Sequence, residues 1–446
     1  MSQSALPMDL PILEPSATAT PSPSGGIRVK EPVRNQAEMM VRDLDSLIAD
    51  DHPVRSIWAF LSQLDLSAFY SCIRAALDKP GRPASDPQVL LALWVYATVE
   101  GLGSARRLAR LCAEHDAYRW LRGGVPVDYH LLAEFRVSHQ KELDDLITQM
   151  VAVLLKNGLV QLKRVAQDGM RVRASAGHAS FRRERSLEQC LEEAREQVKR
   201  VAQEREHPDP GVSRREQAAR ERVTRERQER VEEALRQLPQ VQVAKERQAK
   251  HAGKARAAKL QEARVSTTDP TARRMKMPDG GFRPGYNVQL ATDTESQVIV
   301  GVAVTNHGTD QGEALEVEEQ IAQRTGKHPE DYLLDGGFVN LRDIETLENK
   351  GVKVYAPPKD NGGIEVRYQR GAAASHGVAS WRGRMNTEEA REIYKERAAT
   401  SECVNALMRA RYGVGQFRVR GLPKVLCVTL LMVLTHNLLR WMSLTS

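Results

Sequence analysis

The chain predicts a mixed α/β fold, a sheet core preceded by an all-helical N-terminal domain and interrupted by a long charged helical insertion. Three observations lead there. Apolar residues recur at three-to-four spacing from about residue 36 to 157. From residue 158 onward, short strand-like runs alternate with helical ones. Between 181 and 264, Arg, Glu, Gln, Ala and Lys dominate and strand signals vanish. A chain of 446 residues has room for two or three domains. The composition divides it into a tail (1–35), a helical domain (36–157), a core (158–180 plus 265–446) and the insertion (181–264).

The tail lacks a basic leader, and Pro7, Pro11 and Pro15 break its apolar pieces, so it reads as disordered rather than as a signal peptide. "SDPQVLLALWVYATVEGLG" follows helix grammar, with Ser85 or Asp86 as N-cap, Pro87 at the first helical position and Gly101 as the stop. Ser104 opens a single helix through "SARRLARLCAEHDAYRWLRGG", ended by Gly123 and Gly124. "LDDLITQMVAVLLKNG" gives a further helix that stops at Gly158.

"LVQLKRVAQDGMRVRAS" is strand-like, and residues 286–293 and 297–306 read as a hairpin. "TDQGEALEVEEQIAQRTG" is a helix capped near Thr309 or Asp310, and "DYLLDGGFVN" a strand ending in Asp335. "LRDIETLENKG" is a helix, and "VKVYAPP" a strand stopped by Pro357 and Pro358. The insertion reads as long helices broken at "HPDPG" (207–211), with a narrow seam of Leu187, Leu191, Val198 and Val201. "VLCVTLLMVLTHNLLRW" is the most apolar window. His436, Asn437 and Arg440 cut it short of the ~20 residues of a membrane span, so a buried core helix is expected.

A net charge of +7 and a pI near 9.1 favour a polyanionic partner. The five cysteines (72, 112, 190, 403 and 427) form no CxxC pair, so neither a zinc site nor a disulfide framework is indicated. A reducing, cytoplasmic location is expected. No P-loop is present, and ATP is not implied.

Asp168 and Asp335 each follow an apolar strand and each precede glycine, in "VAQDG" and "YLLDGG". The plain alternative for the first is a hairpin turn, because Asp-Gly is a strong turn signal. Glu402 lies in "YKERAATSECVNALMRARYG", followed by Arg409, Arg411, Arg418, Arg420 and Lys424 with no acid among them. Its plain alternative is an ion-pair partner. Two carboxylates on neighbouring strands and one from a helix suit a pair of oxygen-seeking divalent cations, Mg²⁺ above all, and in-line phosphoryl transfer. Nearby cations would hold a phosphodiester backbone.

"DGMRVRASAG", "GYNVQLATD", "DGGFVN" and "YKERAATSECVNALMRARYG" followed by "RGLPKV" resemble the DDE transposases of bacterial insertion sequences, in the group with a helical insertion after the first strand. The resemblance spans about residues 40 to 442. It implies an RNase H-like core and cleavage and strand transfer at transposon ends, with two Mg²⁺ ions (replaceable by Mn²⁺) held by Asp168, Asp335 and Glu402. It also implies double-stranded DNA as partner, a nucleoid-associated cytoplasmic protein and a homodimer that joins two ends. The family's glutamate motif runs Tyr, two residues, Arg, three residues, Glu, six residues, Lys. Tyr394 and Arg397 match that motif, whereas Glu402 stands one residue late and Arg409 replaces the Lys.

Tyr394, Arg397, Arg409 and Arg411 are the expected DNA contacts. Arg247, Lys250 and Lys254 join them from one face of a run of seven Lys or Arg against two Glu at 245–264, whose plain alternative is a solvated helix face. The helices from Ser104 to Arg136 have a helix-turn-helix outline, readable as DNA recognition or as a bundle packed on the core. A nuclease on the same core and a non-catalytic DNA-binding regulator are the competing functions. Asp310 is the rival second acid, His307 is expected to be structural and Trp120 to be core. Trp381, in a basic loop, is a candidate base-stacking residue.

Overall fold

Strand β1 (Arg164–Arg173) lies at the centre of a six-stranded mixed sheet. The computed structural model describes residues 41–73, 75, 83–206, 212–250, 262–358 and 375–445. The expected tail, the "HPDPG" break and Lys254 lie outside them. On one side β1 pairs antiparallel with β5 (Phe282–Asp293), which pairs antiparallel with β4 (Arg273–Lys276) at its start and with β6 (Ile299–Thr305) further on. On the other side β1 is parallel to β7 (Asp331–Leu333), itself parallel to β8 (Lys353–Tyr355). Three antiparallel strands leading into two parallel ones form an RNase H-like sheet. β5 is long and buried on both faces, with Tyr286, Val288 and Leu290 on one and the polar Asn287, Gln289 and Asp293 on the other.

The N-terminal region is helical as expected: α1 (Pro53–Leu61), α2 (Ser67–Ser71), α3 (Pro87–Val99), α4 (Ala105–Glu114), α5 (Asp116–Arg122), α6 (Tyr129–Ser138) and α7 (Gln140–Lys156). Asp86 caps α3, accepting from the Gln88 amide at 2.8 Å, with Pro87 behind it. The single helix expected from Ser104 to Gly123 is two. His115 takes an extended conformation between α4 and α5, and its Nδ1 caps the second by accepting from the Ala117 amide.

The insertion is a helical hairpin of α8 (Glu184–Glu206) and α9 (Arg214–Lys250), tied to the core by the short pair β2 (Phe181–Arg182) and β3 (Val265–Ser266). Leu187, Ala234, Leu238, Ala263 and Val265 form its own small apolar cluster.

The remaining helices are α10 (Ala314–Thr325), α11 (Leu341–Asn349), α12 (His376–Met385), α13 (Glu388–Ala410) and α14 (Leu422–Thr445). α10 starts later than expected. Glu313 holds its N-cap position, and Asp310 has other partners. Trp381 was expected in a loop but lies in α12, 1 % exposed, donating its indole N–H to the Ala356 carbonyl at 3.1 Å, and is not available for base stacking.

α14 is long and apolar enough to cross a membrane by length alone, yet two thirds of its most apolar window is buried within the protein. It packs against α3, α6, α7 and β6, so helical region and sheet share one apolar interior in the compact unit Leu44–Ser446. Met1–Asp43 is a separate unit.

Candidate active site

In the parallel ladder of β1 and β7, Val165 faces Tyr332 and Ala166 faces Leu333. Asp168 and Asp335 each lie two residues beyond the last of these pairs. Continued past the end of β7, the register brings Asp335 beside Asp168, and the Asp335 charge acts on the Asp168 carboxyl.

Asp335 stands at the C-terminal edge, where the chain turns. Its Oδ1 accepts from the Gly337 amide at 2.6 Å and its carbonyl from the Phe338 amide at 3.2 Å. Asp168 is not in a turn. β1 continues to Arg173, with Asp168 opposite Leu290 and Gly169 opposite Gln289.

Gly169 is needed for packing. A Cβ there would come within 2.0 Å of Asp310 Oδ1 and 2.7 Å of Gln289 Nε2. The space beside Gly169 is filled by the Asp310 side chain. Asp310 is itself buried and held by Asn287 Nδ2 (2.7 Å), Gln289 Nε2 (2.8 Å) and Arg171 (3.0 Å). It is satisfied as a structural acid against β1 and β5.

α13 crosses this edge. Its residues Tyr394, Arg397, Ser401 and Asn405, at i, i+3, i+7 and i+11, run up one side. Asn405 Nδ2 donates to Asp168 Oδ2 at 2.8 Å, and an Arg397 guanidinium nitrogen lies 4.0 Å from Asp168 Oδ1. Arg397 and Asn405 are ~12 Å apart along the helix, so its middle, at Ser401 and Glu402, is level with Asp168. Ser401, four positions after Arg397, occupies the place where the family's motif carries its acid. It is buried, and its Oγ has no hydrogen-bond partner among the described residues. Glu402 is exposed on the flank of the same helix, ~60° around from Asn405. Salt bridges from Arg164 to Asp331 (3.2 Å) and to Glu396 (2.5 Å) clamp α13 to the start of β1 and β7.

Burial raises the Asp168 carboxyl from its ordinary 3.8 to about 6. Arg397 pulls it back down, and the charge of Asp335 pushes it further up. The Asp168 and Asp335 carboxylates, beside the unpartnered buried Ser401 hydroxyl, form an all-oxygen donor set that suits a hard divalent cation.

The other expected contacts are more dispersed. Tyr394 is half-buried with the Arg397 guanidinium 5.7 Å from its ring centroid. Arg409 and Arg411 are exposed at the end of α13, Arg247 is exposed near the end of α9, and Lys250 closes that helix. His307 pairs with Glu313 at 2.7 Å. Trp120 is half-buried, bonded to Asp45 at 3.0 Å and packed edge-on to Trp58. Asn405 and Ser401 escape a reading of the sequence because neither is an acid or a base. Only their helical phase with Arg397 hints at a role.

Two family models match the chain: a Transposase DDE domain over residues 258–438 and a Transposase domain (DUF772) over residues 42–138. Comparison with curated proteins and with solved structures found no match. Asp335 and Glu402 fall within the first matched stretch. Asp168 lies between the two, and its place at the site rests on the pairing of β1 with β5 and β7. With an RNase H-like sheet, aligned aspartates at its edge and transposase matches on both sides of β1, the chain belongs to the DDE transposases of insertion sequences, a family whose substrate is DNA.

Proposed function

We propose that the protein cuts at transposon ends and joins the freed 3′-hydroxyl to target DNA by metal-dependent in-line phosphoryl transfer. The observation that supports this is the parallel register of β1 and β7, which runs Asp168 and, two residues past β7, Asp335 toward the same edge, where Asn405 of α13 meets Asp168. Asp168, Asp335 and Glu402 would hold two Mg²⁺ ions, with Mn²⁺ able to replace them, and bound there the ions would activate the attacking oxygen and stabilise the leaving one.

The chain's own residues prepare that edge. Asn405 fixes Asp168 Oδ2, while Oδ1 accepts from the Gly169 amide at 3.0 Å. Arg397 favours the ionised carboxylate against the cost of burial. Tyr394, Arg409 and Arg411 on α13, with Arg247, Lys250 and Lys254 on the insertion, contact the phosphodiester backbone. The N-terminal helices recognise the terminal inverted repeats, and a homodimer in the cytoplasm, at the nucleoid, pairs two ends.

The test is strand transfer on a fragment bearing the element's ends, with Mg²⁺ or Mn²⁺. Asp168→Ala, Asp335→Ala and Glu402→Ala should each lower the rate by about 10³-fold or more. Wild-type rates in either aspartate variant would refute the assignment. Cleavage without joining would mark a nuclease, and metal-indifferent binding of the ends without cleavage a regulator.

A further inference from the structure

We propose that Cys72, His139 and Glu142 form a second metal site, for a zinc-class ion, in the helical N-terminal region. Their three ligand atoms lie within 4.8 Å of one another. Cys72 follows α2, while His139 immediately precedes α7 and Glu142 lies in its first turn. The Cys72 thiol donates to Glu142 Oε1 at 3.3 Å, and His139 Nδ1 is 3.8 Å from Glu142 Oε2.

Metal–ligand bonds of ~2.0–2.3 Å in a tetrahedral site set ligand atoms about 3.3–3.6 Å apart. The cluster thus needs closure by up to about 1 Å on its longest side, within reach of side-chain rotation at the exposed Cys72. The imidazole is fixed by ring contacts with Phe69 (centroids 5.3 Å apart) and Phe135 (4.7 Å). Its Nδ1 is buried with no hydrogen-bond partner among the described residues, although it is aimed at a carboxylate. A coordinated ion would satisfy that orphaned nitrogen.

The donor set is one sulfur, one nitrogen and one oxygen, which selects Zn²⁺ or Co²⁺ over the Mg²⁺ suited to an all-oxygen centre. Binding releases the thiol proton to solvent as the Cys72 thiolate joins the ion, and water fills the fourth position beside the exposed cysteine. The ion ties the end of α2 to the start of α7 across 70 residues of sequence. That separation is why cysteine spacing alone indicates no zinc site.

The full chain, stripped of metal and reduced, is titrated with Co²⁺ alone. The wild type should show tetrahedral ligand-field bands together with a thiolate-to-cobalt charge-transfer band, displaced by Zn²⁺. Cys72→Ser should abolish the charge-transfer band, and Glu142→Gln should weaken affinity by about tenfold or more. Zn²⁺ should raise the unfolding temperature of the wild type but not of Cys72→Ser. A charge-transfer band that survives in Cys72→Ser would come from another cysteine and would overturn the proposal, as would its absence in the wild type. The readout needs no DNA and stands apart from strand transfer.

Discussion

Gly169 and Asp310 show how one missing side chain shapes the site. Asp310 reaches β1 only because residue 169 has no Cβ, and the Asn287, Gln289 and Arg171 bonds hold it there. Gly169→Ala should force Asp310 and Gln289 aside, costing about 1–3 kcal/mol by overpacking. Denaturant unfolding measures this, and an unchanged midpoint would mean that the two side chains relocate freely. The same variant should lose strand transfer out of proportion to its stability, since residue 169 adjoins Asp168. Asp-Gly is ambiguous in sequence, for a glycine that permits a turn and a glycine that admits a neighbour are spelled alike.

At the scale of elements, α13 decides which of its side chains meet the sheet. Arg164 anchors Glu396 near the N-terminal half, and Asn405 reaches Asp168 two turns beyond Arg397. Asn405→Ala removes the amide that orients Asp168 and leaves a buried carboxylate one donor short. Transposition should fall about 10–100-fold, with much of the loss recovered at raised Mg²⁺ or Mn²⁺. Measuring rate against metal concentration separates this positioning role from a folding defect, which added metal would not rescue. Identical metal dependence in variant and wild type would sink it. The charged motif of α13 was legible as sequence, whereas Ser401 and Asn405 were not, because their importance comes from helical phase against β1.

Over the whole molecule, two buried groups titrate in opposite senses. Asp168 has its carboxyl raised to about 6 by burial, so the folded state binds a proton more readily than the unfolded chain. Its destabilisation is full above pH 6 and is relieved as pH falls toward 3.8. His436, on α14 and 2 % exposed, is lowered to about 4 by burial, with Nε2 bonded to the Gln297 carbonyl at 2.8 Å. Its contribution is present above pH 6.5 and is lost as pH falls through 4. The two trends offset each other between about pH 6 and 4.

Without divalent ions, Asp168→Asn should stabilise the fold at pH 7.5 by about 1–3 kcal/mol while abolishing activity. It should then lose stability more steeply than the wild type on acidification from 6.5 to 4. Urea unfolding at both ends of that range checks it, and parallel curves for the two proteins would show that Asp168 is not destabilised by burial.

The sequence by itself determined the class of each region, since helix caps, apolar period and charge density are local properties. The α3 cap at Asp86, the β5–β6 hairpin and the helical hairpin of the insertion were all readable there. It also singled out Asp168 and Asp335, because acids at strand ends before glycine stand out in an apolar context. Tertiary structure alone decided their alignment, which depends on a parallel register between strands more than 150 residues apart. It likewise placed Trp381 in the core and Asp310 against Gly169, and brought Cys72 beside His139 and Glu142. Those outcomes follow from which faces the sheet and α14 bury together, and no local pattern records that.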